Sequence, residues 1–362
     1  MIRMMHAADL HLDSPFAALA PEQAAQRREE QREMLCRLAE ECGKRDCQVL
    51  LLAGDLFDSD HVYRETAELL RQTLGSLNAR VFIAPGNHDP YSPLSPYATL
   101  SWPDNVHIFR SRSVEAVRLT EPELTVYGAA FTESRETGLL NGFLADADEL
   151  TKVMVMHGVL GDAESVYNPI SELAVGASGL DYLALGHVHK REIRTLGRTT
   201  AGNPGFAMGR GFDELGHGGA LYVELDAGEC RVEAVDLGCR IYQSLNVNVK
   251  EDPLVSVEAL LPEDCSRDIY RITLTGSCPS PDLEALRAAL APRFYALELI
   301  DRTLPPLELW RDVEEDSLKG EFLRQIKACY DAEDASEDDR RLLARAAGFG
   351  LALMEGREVP EL

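Results

Sequence analysis

A chain of 362 residues with 45% hydrophobic and 27% charged side chains has the composition of an ordinary globular protein, and its length predicts one large domain plus an appendage. A formal net charge of −25 argues against tight autonomous nucleic-acid binding, which draws on a basic surface, but leaves phosphate-containing substrates open because bound cations add charge that the count omits. No segment approaches the run of about 20 apolar residues that spans a bilayer, and Met1 to His6 opens directly into a strand-like segment without the charged and apolar regions of a signal peptide, so a cytoplasmic protein with no membrane contact is expected.

In chain order, Ile2 to Ala7 is predicted as an opening strand, and residues 21–43, rich in Ala, Glu, Gln, Arg and Leu, as an amphipathic helix. The continuous apolar run Val49 to Ala53, ending in Gly-Asp, fits a buried strand; residues 63–77 follow as a helix and Arg80 to Ala84 as the next strand. Short strands are then expected at Val106 to Phe109, Leu124 to Gly128, Lys152 to Met156, Tyr182 to Leu185, Ala220 to Leu225 and Arg231 to Val235. Apolar strands with helical partners make residues 1–240 a layered α/β domain with buried central sheets. Residues 241–304 form a small α+β module: a strand at Tyr270 to Thr275, a helix at Pro281 to Leu290 and a strand at Tyr295 to Asp301. Residues 305–362 begin with Pro305-Pro306, carry an acidic run at 312–316 read as solvated surface, and continue as helices near 317–330 and 336–355.

The eight cysteines are scattered without a Cys-x-x-Cys pair. They are read as free thiols in a reducing compartment rather than as disulfides or a structural zinc site.

Five segments carry the chemistry, each at the end of an apolar run: Asp9-Leu10-His11, Gly54-Asp55-Leu56-Phe57-Asp58, Gly86-Asn87-His88-Asp89, His157-Gly158 and Gly186-His187-Val188-His189. Loops beyond strand C-termini are where sites collect in α/β folds. Imidazole and carboxylate donors suit manganese, iron or zinc, and a shared carboxylate can hold two ions about 3.5–4 Å apart over one phosphoryl group. In Asp-x-His and His-x-His the alternation turns both side chains to one side, and neighbouring glycines let the backbone approach closely. Taken singly, His11 or His157 reads as a structural histidine, Asn87 to Asp89 as turn chemistry, and His187 with His189 as the end of a strand; the ordered set asks for a shared cause. His6, His61, His107 and His217 fall outside the motifs and read as ordinary.

In this order and spacing the set resembles the calcineurin-like metallophosphoesterases over residues 1–240. The resemblance implies a four-layer αββα sandwich of two mixed sheets flanked by helices. It implies a first metal on Asp9, His11, Asp55 and His189 and a second on Asp55, Asn87, His157 and His187, with Asp55 as the bridge. It further implies in-line attack by a hydroxide bridging the metals. His88 would then stabilise the transition state or protonate the leaving oxygen, Asp89 would hold the His88 ring, and Asp58 would stand behind a ligand or brace the fold rather than bind metal itself. Two divalent ions are expected, Mn2+ first, with Fe2+ or Zn2+ able to occupy the same donors.

The opening His6 to Pro15 and the downstream Ala201-Gly202-Asn203-Pro204-Gly205, Gly209-Arg210, Glu214-Leu215-Gly216 and Gly219 resemble DNA repair exonucleases of the SbcD and YhaO type. That narrower likeness implies a DNA exonuclease or endonuclease, a capping role for residues 241–304, and terminal helices that dock on an SbcC-like ATPase; the open readings of those helices are a solvated pair or a homodimer contact. Arg210 either meets a substrate phosphate or pairs with Glu214. The alternative functions are a phosphodiesterase or phosphatase on nucleotides and other small phosphoesters, and a non-catalytic subunit of an ATPase complex.

Overall fold

The computed structural model describes residues 1–59, 62–249, 252–276, 278, 281–303, 307–354 and 356. His61 and Pro305-Pro306 lie outside the described residues. The chain divides into two compact units, Met1–Cys239 and Arg240–Leu362.

Among the described residues the first unit holds fourteen strands: β1 (Ile2–Ala7), β2 (Val49–Leu52), β3 (Arg80–Ile83), β4 (Val106–Ile108), β5 (Glu115–Thr120), β6 (Glu123–Gly128), β7 (Thr151–His157), β8 (Val159–Leu160), β9 (Pro169–Ile170), β10 (Tyr182–Gly186), β11 (Glu192–Leu196), β12 (Thr199–Asn203), β13 (Ala220–Asp226) and β14 (Glu229–Val235). Its helices are α1 (Pro21–Lys44), α2 (Arg64–Gly75), α3 (Pro96–Thr99) and α4 (Glu172–Ala177). One six-stranded sheet runs β14-β13-β1-β2-β3-β4 and the other β11-β12-β10-β7-β6-β5. The pairs β1–β2, β2–β3, β7–β10 and β6–β7 are parallel, while the outer pairs β13–β14, β11–β12 and β5–β6 are antiparallel.

Strand alternation sorts the side chains into three apolar layers. Met4, Val49, Leu51 and Phe82 from the first sheet meet Val126, Val153, Val155, Tyr182 and Ala184 from the second. Met5, Leu50, Leu52 and Val81 point the other way, under Met34, Leu35 and Leu38 of α1 and Leu70 of α2. On the far face of the second sheet, Met154, Met156, Leu183 and Leu185 pack under Val175 of α4, Leu180, and the loop residues Leu139 and Leu140. The result is the expected layered sandwich, its second outer layer built from one short helix and loop. Each such fully buried aliphatic side chain is worth roughly 1.5–3 kcal/mol relative to exposure.

Ala201 to Asn203, the start of the run that follows the last histidines, belong to β12. Glycine is required there by packing, since a Cβ on Gly202 would sit 2.2 Å from the Tyr182 hydroxyl oxygen. Strands β5 and β11 lie at sheet edges with alternately exposed, largely polar residues, so no continuous apolar run marks them.

The second unit contains a parallel three-stranded sheet in the order β15-β16-β17, formed by β15 (Tyr242–Val249), β16 (Ile269–Gly276) and β17 (Ala296–Asp301). Helices α5 (Pro253–Glu258) and α6 (Leu283–Leu290) supply Val257, Leu286 and Leu290 to its core. Helices α7 (Leu318–Tyr330) and α8 (Glu337–Met354) pack through Leu323, Ala347 and Leu351, and Arg345 of α8 pairs with Asp301 of β17. Among the described residues no helix is long and apolar enough to cross a membrane. The eight cysteines are free thiols.

Candidate metal centre

Parallel pairing brings the C-terminal ends of five strands to one end of the sandwich. Ala7, Leu52 and Ile83 stand in register across β1, β2 and β3, and His157 stands opposite Gly186 across β7 and β10. The two sheets are locked together just beneath the site. His157 Nδ1 donates to the Ala53 carbonyl at 2.8 Å, and the buried His6 ring lies 2.9 Å from the Tyr182 hydroxyl and 3.0 Å from the Leu185 carbonyl.

Beyond β1 the chain runs beside the loop after β2: Asp9, His11 and Leu12 donate their N–H groups to the carbonyls of Gly54, Asp55 and Leu56 at 2.8–3.1 Å. Leu10 and Leu12 go into the core while Asp9 and His11 face the site. Aiming the side chains this way requires left-handed backbone, with φ of 52° at Asp9, 43° at His11, 52° at Asp55 and 99° at His187. For a non-glycine residue that conformation costs roughly 1–2 kcal/mol. Gly86 gives the next loop its close approach: a Cβ there would lie 2.2 Å from Asp55 Oδ1.

Two groups of donor atoms result, sharing Asp55 Oδ2. In the first, His11 Nε2 lies 3.3 Å from His189 Nε2 and 3.9 Å from Asp55 Oδ2, and His189 Nε2 lies 3.7 Å from Asp9 Oδ1. In the second, Asn87 Oδ1 lies 2.8 Å from both His157 Nε2 and His187 Nδ1, these two nitrogens are 3.2 Å apart, and His157 Nε2 is 3.4 Å from Asp55 Oδ2. Ligands about 2.0–2.2 Å from a common cation stand roughly 3–3.5 Å from one another, and both groups, spaced 2.8–3.9 Å, come close to a coordination shell. The donor chemistry agrees. With the His157 ring proton on Nδ1, bonded to Ala53, its Nε2 lone pair faces the carbonyl oxygen of Asn87. Lone pair against lone pair at 2.8 Å is repulsive unless a proton or a cation sits between them.

The charges bear this out. Burial works against a charged His157, but the Asp55 carboxylate overrides it and pushes the ring up to about 9. His189 is likewise disfavoured by burial yet raised to about 10 by Asp9 and Glu214. Burial would raise the Asp55 carboxyl, and His157 and His11 instead hold it below the usual carboxylate range. His187 is lowered to about 4 by burial and by its neighbour His157. Without metal, protons therefore occupy the electrostatic place that cations would take.

The structure gathers all seven ligand-type residues and corrects the expected role of Asp89. That carboxylate is buried and accepts from the N–H groups of Asp55, Leu56, Phe57 and Gly86 at 2.7–3.2 Å and from the Tyr97 hydroxyl at 2.5 Å. The His88 ring instead donates from Nδ1 to the Asp58 carbonyl at 3.0 Å and packs edge-on against His11. Asp89 thus braces the loop that carries Asp55, because its side chain points inward where that of exposed His88 points out. Arg210 is also committed: its guanidinium pairs with Glu214 at 2.7 Å and Asp58 at 2.8 Å.

Three further residues support the site. Glu214 Oε1 lies 2.8 Å from His189 Nδ1, in ion-pair contact. Gln31 of α1 donates to the His11 carbonyl at 2.7 Å. The Tyr167 ring lies 4.6 Å from that of His187. Only Glu214 carries a legible signal, as the acid of the Glu-x-Gly turn downstream of the last histidines.

A family model described as calcineurin-like phosphoesterase matches residues 2–191. Among curated relatives, the chain is 27% identical over 328 residues to the uncharacterized metallophosphoesterase YhaO of Bacillus subtilis, covering 82% of this chain and 77% of that one. It is 23% identical over 256 residues to the SbcD component of the SbcCD nuclease of the same bacterium, covering 60% of this chain and 64% of that one, just under two thirds of its length. Among solved structures, an archaeal phosphodiesterase is similar at 13% identity and a TM-score of 0.35, covering 65% of this chain and 100% of that one.

Proposed function

The chain belongs to the calcineurin-like phosphoesterase family, and on that premise we propose that this metallophosphoesterase cleaves phosphodiester bonds of DNA with two divalent cations. Asp9, His11, Asp55 and His189 would hold one cation and Asp55, Asn87, His157 and His187 the other. The observation that carries the reading is the sharing of Asp55 Oδ2 by two donor groups of coordination-shell spacing. When bound, the cations supply Lewis-acid polarisation of the phosphoryl oxygens and activation of a water nucleophile. The protein's own part is to preset the donors. Left-handed backbone at Asp9, His11, Asp55 and His187 aims them, and Asp89 fixes the Asp55 turn. His88, exposed at the rim, has one ring nitrogen tied to the Asp58 carbonyl. Its imidazolium form offers the other N–H to the leaving oxygen.

Mn2+ is the proposed metal, with Fe2+ or Zn2+ compatible with the same donors. DNA as substrate rests on the likeness to the SbcCD nuclease component. By the same likeness an SbcC-like ATPase is the proposed partner, one that would supply the basic surface that a chain of net charge −25 lacks. That charge favours a second reading, turnover of nucleotides or other small phosphodiesters without a partner.

The test is hydrolysis with added Mn2+ of end-labelled single- and double-stranded DNA beside bis-p-nitrophenyl phosphate. DNA cleavage that vanishes in His88→Ala supports the nuclease. Turnover of the small diester alone, unchanged by an added SbcC-like ATPase, overturns it in favour of the second reading.

A further inference from the structure

The two donor groups differ in what stands behind their histidines. In the first, the remote nitrogen of each ring faces a carboxylate. His189 Nδ1 lies 2.8 Å from Glu214 Oε1. His11 Nδ1 lies 3.1 Å from Asp58 Oδ1, an ion-pair contact poorly aligned for a hydrogen bond. Arg210 spans the two carboxylates, with NH2 2.7 Å from Glu214 Oε1 and NH1 2.8 Å from Asp58 Oδ1. Its backbone N–H also donates to Glu214 Oε2 at 2.8 Å, so the chain His11–Asp58–Arg210–Glu214–His189 closes behind the site. Glu214 is 2% exposed, too buried for water to soften its field.

The second group has no such backing among the described residues. His157 leans on the neutral Ala53 carbonyl, His187 on the Tyr167 ring, and Asn87 is itself neutral. Among the described residues Asp55 is the single carboxylate that pairs with the donor nitrogens of this group, whereas Asp9 and Asp55 both serve the first. A carboxylate behind a histidine raises the basicity of the ligating nitrogen and fixes its ring, and losing one typically costs 10–100-fold in metal affinity.

We propose that Asp58, Arg210 and Glu214 form a clamp that holds His11 and His189 and makes the first position bind a divalent cation more tightly than the second. This rests on the two-metal reading above and adds an order to it: the position on Asp9, His11, Asp55 and His189 fills first, and the one on Asn87, His157 and His187 is the exchangeable one. Glu214 is a positioning residue, acting through His189.

The experiment is calorimetric titration of the full-length metal-free protein with Mn2+, with free Mn2+ followed in parallel by its paramagnetic resonance signal. The wild type should show two resolved steps separated by at least tenfold. Glu214→Gln, which keeps shape and removes charge, should weaken the tighter step 10–100-fold and leave the weaker one unchanged. Asn87→Ala should weaken the other step instead. Should Glu214→Gln unfold, Asp58→Asn at the partly exposed end of the clamp carries the same expectation through His11. Two equal steps in the wild type, or a variant that weakens both steps alike, overturns the clamp. Failure to bind a second ion overturns the two-metal reading itself. Two well-separated steps without hydrolysis of any phosphodiester leave the clamp standing and defeat the proposed activity.

Discussion

Asp89 and Asp55 are coupled through one turn: Asp89 Oδ1 accepts the Asp55 N–H at 3.2 Å, while its Oδ2 takes the next two N–H groups, of Leu56 and Phe57, at 2.7 and 3.1 Å. A buried carboxylate, rather than the metals, thus shapes the loop of the shared ligand. In Asp89→Asn an amide NH2 replaces one acceptor and faces backbone donors, so the variant should lose about 2–3 kcal/mol of stability and bind both metals more weakly. Denaturant melts and metal analysis check this, and an unchanged midpoint would remove Asp89 from the role.

His88 and Asp55 should separate cleanly. His88→Ala should keep its metal content and lose turnover by about 10²–10⁴-fold, the usual contribution of a general acid. Asp55→Ala should lose metal and turnover together. Elemental analysis beside kcat on bis-p-nitrophenyl phosphate reads both, and full activity in both variants would defeat the site assignment.

A single methyl group should also disable the centre. In Gly86→Ala the new Cβ would lie 2.2 Å from Asp55 Oδ1 and 2.6 Å from its backbone nitrogen. The oxygen is held by the His88 N–H at 2.9 Å and the nitrogen is backbone, so Asp55 must shift. Misplacement of that order brings a loss of about 10²-fold in rate, with weakened metal binding as the accompanying sign. Wild-type kinetics in this variant would mean that the loop has slack.

His6 should give the metal-free protein an acid sensitivity of its own. Burial pushes the ring down to about 3, against a pull upward from the Leu185 carbonyl. The folded pKa lies below the ordinary 6.5, so the unfolded chain takes up the proton first. The histidine's effect on stability is then constant above about pH 6.5, and stability is lost as pH falls from 6.5 toward 3, by up to about 1.4 kcal/mol per pH unit. His6→Asn should flatten the slope between pH 6.5 and 5 in chemical denaturation; coincident slopes would assign the sensitivity elsewhere.

The five loops are legible in the sequence because each ends an apolar run with residue types that have no common structural use. Helix α1 is legible from its composition, and the central strands from continuous Val and Leu. The edge strands β5 and β11 are not, since half their residues face solvent. Nor is the inward turn of Asp89, because neighbours in a tight turn point opposite ways and the motif names them without directions. Glu214 reaches His189 from 25 residues downstream through a loop whose path depends on the turn after β12, so local spacing carries no record of the contact. His6 reads as ordinary, and its place between the two sheets becomes visible only when β10 is laid beside β1.

The left-handed backbone at Asp9, His11, Asp55 and His187 sets thermal robustness against activity. Glycine at any of the four would relax the chain by an amount comparable to the ~1–2 kcal/mol of a single left-handed residue, while deleting a ligand. A selection for heat resistance alone, run without metal, would therefore be drawn to the very positions on which catalysis depends. Durable variants from such a selection should be enriched in dead enzymes.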